Sequence, residues 1–196
     1  SKAAPGNWGA IKYSNPDNVL HDAVVRYGGI GYASHSGGWE YPENQQIVWV
    51  SGSGLGTLEV RNCVLEYAYD RGIYAEALQA PNIHGNEIHH SPRGVQLDGG
   101  GIIEANVFSG NSWGVYLGGS TRPTVRNNSF GGSIYLGTSE AVLTGNTLPT
   151  SNTVLGVSGT LGQDVNWENL GVPYLVTSDL VIPAGRTLTI EGGVVV

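Results

Sequence analysis

The stretch Ile83-His84-Gly85-Asn86-Glu87-Ile88 returns as Ile103-Glu104-Ala105-Asn106-Val107-Phe108, as Val125-Arg126-Asn127-Asn128-Ser129-Phe130 and as Leu143-Thr144-Gly145-Asn146-Thr147-Leu148. Each copy runs apolar residue, two spacers, Asn, one spacer, apolar residue. Val60-Arg61-Asn62-Cys63-Val64-Leu65 fits the same frame with Cys63 in the Asn slot, and successive slots lie 23, 20, 22 and 18 residues apart. Self-similarity at such a period is the signature of a solenoid, in which no single repeat can bury its own apolar face.

Working outward from the slots, a short alternating strand follows each one after six to ten residues: Ile73-Tyr74-Ala75, Val95-Gln96-Leu97, Val115-Tyr116-Leu117 and Ile134-Tyr135-Leu136. Gly72, Gly94 and Gly114 precede the first three. Strands this brief do not make a hairpin sheet, but stacked coil on coil they bury their Ile, Val and Leu in one core. The Asn column has a physical reason. An Asn at a tight bend is expected to tolerate an unusual backbone angle and to pass amide hydrogen bonds to the Asn of the next coil. Cys63 is read as a small, inert, buried thiol at the end of that ladder.

Composition agrees. The chain has 196 residues with 31 glycines, no Met and 13% charged residues, which disfavours a helical bundle. At 40% hydrophobic it can build a full core. A net charge of −7 argues against nucleic acid or an anionic membrane as the main partner, and no apolar run is long enough to insert into a membrane. One cysteine makes no intramolecular disulfide and no zinc-site spacing.

These features resemble right-handed parallel β-helix proteins of the pectate-lyase-like superfamily, whose coils carry three strands and an Asn ladder at the second bend. The fold class expected is thus all-β, a right-handed parallel β-helix with coils of about 20 residues. It is expected over residues 1–160, with an irregular insertion at about 28–44. Residues 7–27 read as a first coil, with Ile11-Lys12-Tyr13 as one strand and Leu20 to Val25 as the next. Residues 161–196 read as a C-terminal β segment, a cap or the start of a further array. In it, Leu161 to Leu170 loses the period and Tyr174 to Val196 divides into four strand-like pieces.

Gly6-Asn7-Trp8-Gly9-Ala10-Ile11, Val25-Arg26-Tyr27-Gly28-Gly29 and Val181 to Ile190 also look like segments of large secreted bacterial surface proteins. There the last motif usually opens a helix and the Trp-Gly motif follows it; the reversed order here is expected of a fragment cut across two arrays. An extracellular or cell-surface location follows from that resemblance.

Alternation along the strands defines an outward column of Lys12, Trp49, Tyr74, Gln96, Tyr116 and Tyr135. Trp49, Tyr74, Gln96, Tyr116 and Tyr135 are the candidate substrate-binding residues, an aromatic track suited to an extended polysaccharide; cross-strand packing of Tyr explains the same column without a ligand. Arg71 and Arg93 stand before the strand, Glu76 and Asp98 after it. In the lyases that the chain resembles, this region supplies a base and stabilises a carboxylate, so Arg71, Arg93, Glu76 and Asp98 are the candidate catalytic residues. Glu76 and Asp98 are also the candidate ligands of calcium, although no cofactor is required. Solvated charged rims account for the same four residues. His89-His90 is a further candidate base or ligand, of which one ring is expected to reach a site because neighbours on an extended segment point opposite ways.

Three functions remain open. The first is a non-catalytic extracellular module that binds or is displayed to polysaccharide, the second a polysaccharide lyase or glycoside hydrolase working over the same strand, and the third a structural spacer. Self-association through exposed solenoid ends is a further expectation.

Overall fold

The computed structural model describes residues 3–14, 17–30, 33–35, 38–40, 45–51, 57–76, 80–119, 122–138 and 140–196. Three parallel sheets run along it. The first has eight strands in chain order: Ile11–Tyr13, Gln46–Val50, Arg71–Ala75, Arg93–Leu97, Trp113–Leu117, Ser133–Tyr135, Leu155–Thr160 and Tyr174–Val181. The second has six, from Val19–His21 through Glu59–Arg61, Asn82–His84, Ile102–Glu104 and Thr124–Arg126 to Val142–Thr144. Five more, Val24–Arg26, Val64–Glu66, Glu87–His89, Val107–Ser109 and Ser129–Phe130, make the third. Each strand pairs with its counterparts one coil away, so the chain is a parallel β-solenoid, as the repeat implies.

The registers stack like on like. Val48, Ile73, Val95, Val115, Ile134 and Leu155 are successive partners in the first sheet, all without exposed surface. Val60, Ile83, Ile103 and Val125 do the same in the second, and Leu65, Ile88, Phe108 and Phe130 in the third. Each such side chain contributes roughly 1.5–3 kcal/mol by leaving water, and together they fill the triangular interior. The Phe108 and Phe130 rings stack at 4.9 Å. Their bulk explains the glycines at the second position of these first-sheet strands: a Cβ on Gly94 would stand 2.5 Å from the Gly114 carbonyl oxygen and 3.0 Å from the Phe108 ring.

Between second and third sheets runs the Asn ladder. Asn106 Oδ1 accepts from both the backbone N and the side-chain Nδ2 of Asn86, each at 2.9 Å, and Asn128 Oδ1 does the same for Asn106. Asn146 repeats this for Asn128. The second hydrogen of each amide goes to a backbone carbonyl of the preceding coil, from Asn86 to Val60 and from Asn106 to Ile83. Cys63 stands at the head of the ladder: its backbone N donates to Asn86 Oδ1, and its thiol lies 3.2 Å from the Arg61 carbonyl oxygen and 3.6 Å from that of Leu20. Burial pushes that thiol's pKa up.

One detail of the expected bend is corrected. The left-handed backbone angle belongs to the residue before the ladder position, in Asn62, Gly85, Ala105, Asn127 and Gly145, with φ between 52° and 65°. The ladder Asn is thereby freed to point inward. In the first coil Asp22 has φ 49°, which splits the single strand expected from Leu20 to Val25 into Val19–His21 and Val24–Arg26. Ala23 takes the ladder position there.

A second column of left-handed residues turns the chain out of the third sheet: Tyr27, Tyr67, His90 and Gly110, with φ 63°, 58°, 54° and 64°. Behind it runs a smaller polar ladder, in which Ser91 Oγ accepts from the Ala68 N and Asn111 Oδ1 from the Ser91 N. Beyond the repeat, Val165–Trp167 pairs in parallel with Leu188–Ile190, so the coil continues through the segment that looked aperiodic. Tyr174–Val181 is one strand rather than two pieces, because the register shift between Val157 and Gly159 accommodates Ser178-Asp179 as a bulge. In the insertion, Ala33–His35 and Gly38–Glu40 form an antiparallel pair; residues 31–32, 36–37 and 41–44 lie outside the described residues.

Candidate functional site

The outward column is in register. Lys12 pairs with Trp49, Trp49 with Tyr74, Tyr74 with Gln96, Gln96 with Tyr116, and Tyr116 with Tyr135. These side chains leave the first sheet on its outer face because the alternating Val and Ile are held in the core. The rings do not lie flat on the surface. Tyr116 and Tyr135 stack face to face at 4.1 Å, and Trp113 meets Tyr135 edge-on at 5.5 Å. The Tyr116 and Tyr135 planes face along the solenoid axis, like coins in a roll; the Tyr135 hydroxyl shares a hydrogen bond with Ser158 Oγ, and Trp49 is only 7% exposed. Cations take up further ring faces: Lys12 lies 3.6 Å from the Trp49 ring centre, Arg71 4.9 Å from Tyr74 and Arg93 4.6 Å from Tyr116.

Gln96 is the hub of a polar network and only 8% exposed. Its Oε1 accepts from Arg71 Nε at 2.8 Å and Arg93 Nη1 at 2.9 Å, while its Nε2 donates to Asp98 Oδ1 at 3.0 Å. The Tyr74 hydroxyl donates to the other Asp98 oxygen at 2.8 Å. Glu76 Oε1 accepts from the Trp49 indole at 3.0 Å. Asp70 approaches both Arg71 and Arg93, at 3.4 and 3.5 Å.

Arg71, Arg93 and Asp98 therefore close on one another instead of lining two separate rims, with Glu76 joined to the neighbouring Trp49. The reason is local. At Gly72 and Gly94 the alternation breaks: a Cβ there would point at Ile88 or Phe108 in the core, and the residue before the glycine is left on the same outer side as Tyr74 and Gln96. Burial, and then the hydrogen bond to Asp98, pushes the Tyr74 pKa up to about 12. Burial also raises that of Tyr116, with Tyr135 adding to it.

Among the described residues, the metal-ligating types that gather in a group of three are Glu66, His89 and His90. The two histidines do not point opposite ways. The left-handed angle at His90 folds its ring back beside His89, with the Nδ1 atoms 3.1 Å apart.

A cavity of about 480 Å³ opens where the second sheet ends at Val142–Thr144. Leu143, Val157, Trp167 and Tyr174 wall it, and the pair Arg122 and Glu140, 3.4 Å apart, stands at its margin. The strand Val165–Trp167 pairs onward with Leu188–Ile190 and not back onto Val142–Thr144, so the two sheets part here.

A three-sheet parallel solenoid with an internal Asn ladder and a polar, aromatic outer face defines a β-helix protein. The family description "right handed beta helix region" matches residues 41–161, and the chain belongs to that family. No curated protein and no solved structure matches it.

Proposed function

We propose that the outer face of the first sheet, from Trp49 to Tyr135, binds an extended polysaccharide lying along the solenoid axis and does not cleave it. The observation that carries this reading is the Gln96 network: Arg71 and Arg93, one coil apart, are held against the same amide and over the rings of Tyr74 and Tyr116. Coils repeat at about 4.8 Å, close to the length of one sugar unit, so donors and acceptors recur along an axial chain. A guanidinium carries five N–H donors, and the bonds to Gln96 and Asp70 engage only one nitrogen of Arg93, Nη1.

The strip balances Lys12, Arg71 and Arg93 against Asp70, Glu76 and Asp98. That balance suits a hydroxyl-rich glycan better than a dense polyanion. Because the ring faces are already stacked and the Tyr74 and Tyr135 hydroxyls are bonded to Asp98 and Ser158, sugar contacts fall on ring edges and the guanidinium N–H groups. Glu76 and Asp98 are each taken up by donors from the strip itself, which supports a role in ordering the surface over one in proton transfer. Display in a secreted or cell-surface protein is part of the same proposal, carried by the sequence resemblance.

Affinity electrophoresis through gels containing neutral or uronate polymers tests this, with release of reducing or unsaturated ends measured in parallel. Retardation by a neutral glycan without product is the expected result. Product from a uronate polymer, with or without calcium, would establish the enzyme reading instead. Unretarded migration with every polymer would leave the strip as packing and the chain as a spacer.

A further inference from the structure

We propose a second site, unrelated to glycan binding, on the bend that closes the third sheet: Glu66, His89 and His90 form a binding site for a divalent transition ion of the zinc type. Their three ligand atoms all lie within 4.8 Å of one another. His89 Nδ1 is 3.1 Å from His90 Nδ1 and 3.6 Å from Glu66 Oε2. An ion with bonds of about 2.0–2.1 Å in tetrahedral geometry separates its ligands by about 3.3 Å. The two distances from His89 Nδ1 already stand near that spacing, and His90 and Glu66 lie within 4.8 Å of each other.

Two of the three ligands, Glu66 and His90, are held from behind. Glu66 is 6% exposed and its other oxygen pairs with Arg26, which fixes the carboxylate's direction. The His90 ring stacks on Tyr67 at 4.9 Å, nearly parallel, and Tyr67 stacks in turn on Tyr27 at 5.3 Å. Such outer contacts orient ligands and limit the entropy lost on binding. The gradient of exposure is that of an open site, with Glu66 buried at its floor, His89 half-buried and His90 exposed at its mouth. Three protein ligands leave a fourth position for water or another donor.

Proton positions follow. In the neutral pair one proton lies between the two Nδ1 atoms; an ion there takes both lone pairs and leaves each ring protonated at Nε2. For His89 that nitrogen is buried and has no hydrogen-bond partner. The ring therefore has one nitrogen to use, and it faces the cluster. Where His89 is the ring that donates in the free pair, binding moves its proton to the buried Nε2, a cost that lowers affinity; where His90 donates, the proton moves to the exposed ring instead.

Titration of the whole chain with Zn²⁺ by calorimetry near pH 7.5 is expected to show one ion per chain, with no heat from Ca²⁺, which demands six or more oxygens. His90→Asn is the informative variant, because His90 is exposed and Asn accepts the left-handed angle. Its Zn²⁺ affinity is expected to fall at least tenfold, while His21→Asn, outside the cluster, stays within twofold of the parent. Nitrogen NMR of the parent imidazoles needs no variant and should shift Nδ1 of both His89 and His90 on adding Zn²⁺. No heat in the parent, unchanged affinity in His90→Asn, or unmoved Nδ1 signals would each overturn the site.

Discussion

Two columns of polar side chains run the length of this solenoid, one coil apart at each step, and they do opposite things. Asn86, Asn106 and Asn128 are each 1% exposed and give all their amide bonds to backbone groups and to one another. In the outer column Trp49, Tyr74 and Gln96 bond sideways, to Arg71, Arg93, Glu76 and Asp98, and Tyr135 to Ser158, and none of these bonds serves a backbone group. Periodicity alone does not separate a column that closes the chain from one that dresses a surface. The destination of each hydrogen bond does. A saturated ladder has nothing left to offer a ligand, whereas guanidinium N–H groups and tyrosine edges remain on the outer face.

Breaking the ladder in its middle should give the largest effect. Asn106→Leu strands the Asn86 backbone N and amide, the Ile83 carbonyl and one acceptor on Asn128, each a buried group costing about 1–3 kcal/mol when left unmade. Partial relaxation brings the expected loss to on the order of 3 kcal/mol, read by urea unfolding, and Asn146→Leu at the half-buried end should cost clearly less. An equal cost at both positions would mean that the bend tolerates vacancies.

The outer column should respond to pH instead. Tyr74, and Tyr174 in the C-terminal coil, have pKa values pushed up to about 12 by burial. A phenol that ionises at about 10 when unfolded and near 12 when folded adds stability that is complete below pH 10 and is lost as pH rises through 12. Alkaline denaturation monitored by tyrosinate absorbance should therefore steepen over that window, and less so in Tyr74→Phe. Unchanged steepness in the variant would show that Tyr74 titrates freely. The smallest effect is expected of Cys63→Asn, which continues the ladder by one step. Asn can donate to the Leu20 carbonyl, which the thiol now approaches only to 3.6 Å, so unfolding stability should stay within about 1 kcal/mol of the parent.

Legibility followed the same division. The ladder and the outward column could be read from the chain because their residue types repeat at the coil period and strand side chains alternate. Asp22-Ala23 hid the bend within the first coil, since Ala carries no ladder chemistry. The second bend was invisible because Tyr27, Tyr67, His90 and Gly110 share a backbone angle and no side-chain type; that angle also brings His89 and His90 to one side. Arg71 and Arg93 were placed on a rim apart from Asp98 because a glycine that breaks alternation looks in sequence like any other.

The most direct test sets binding against stability in one variant. Arg93→Gln removes a guanidinium from the Gln96 network and leaves the core and the Asn ladder untouched. The account predicts that its retention in affinity electrophoresis on the glycan that retards the parent falls about tenfold, the loss of roughly one charge-assisted hydrogen bond, while its urea midpoint stays near the parent's. A variant that loses stability in step with retention, or one that binds as the parent does, would contradict the division of labour between the two columns.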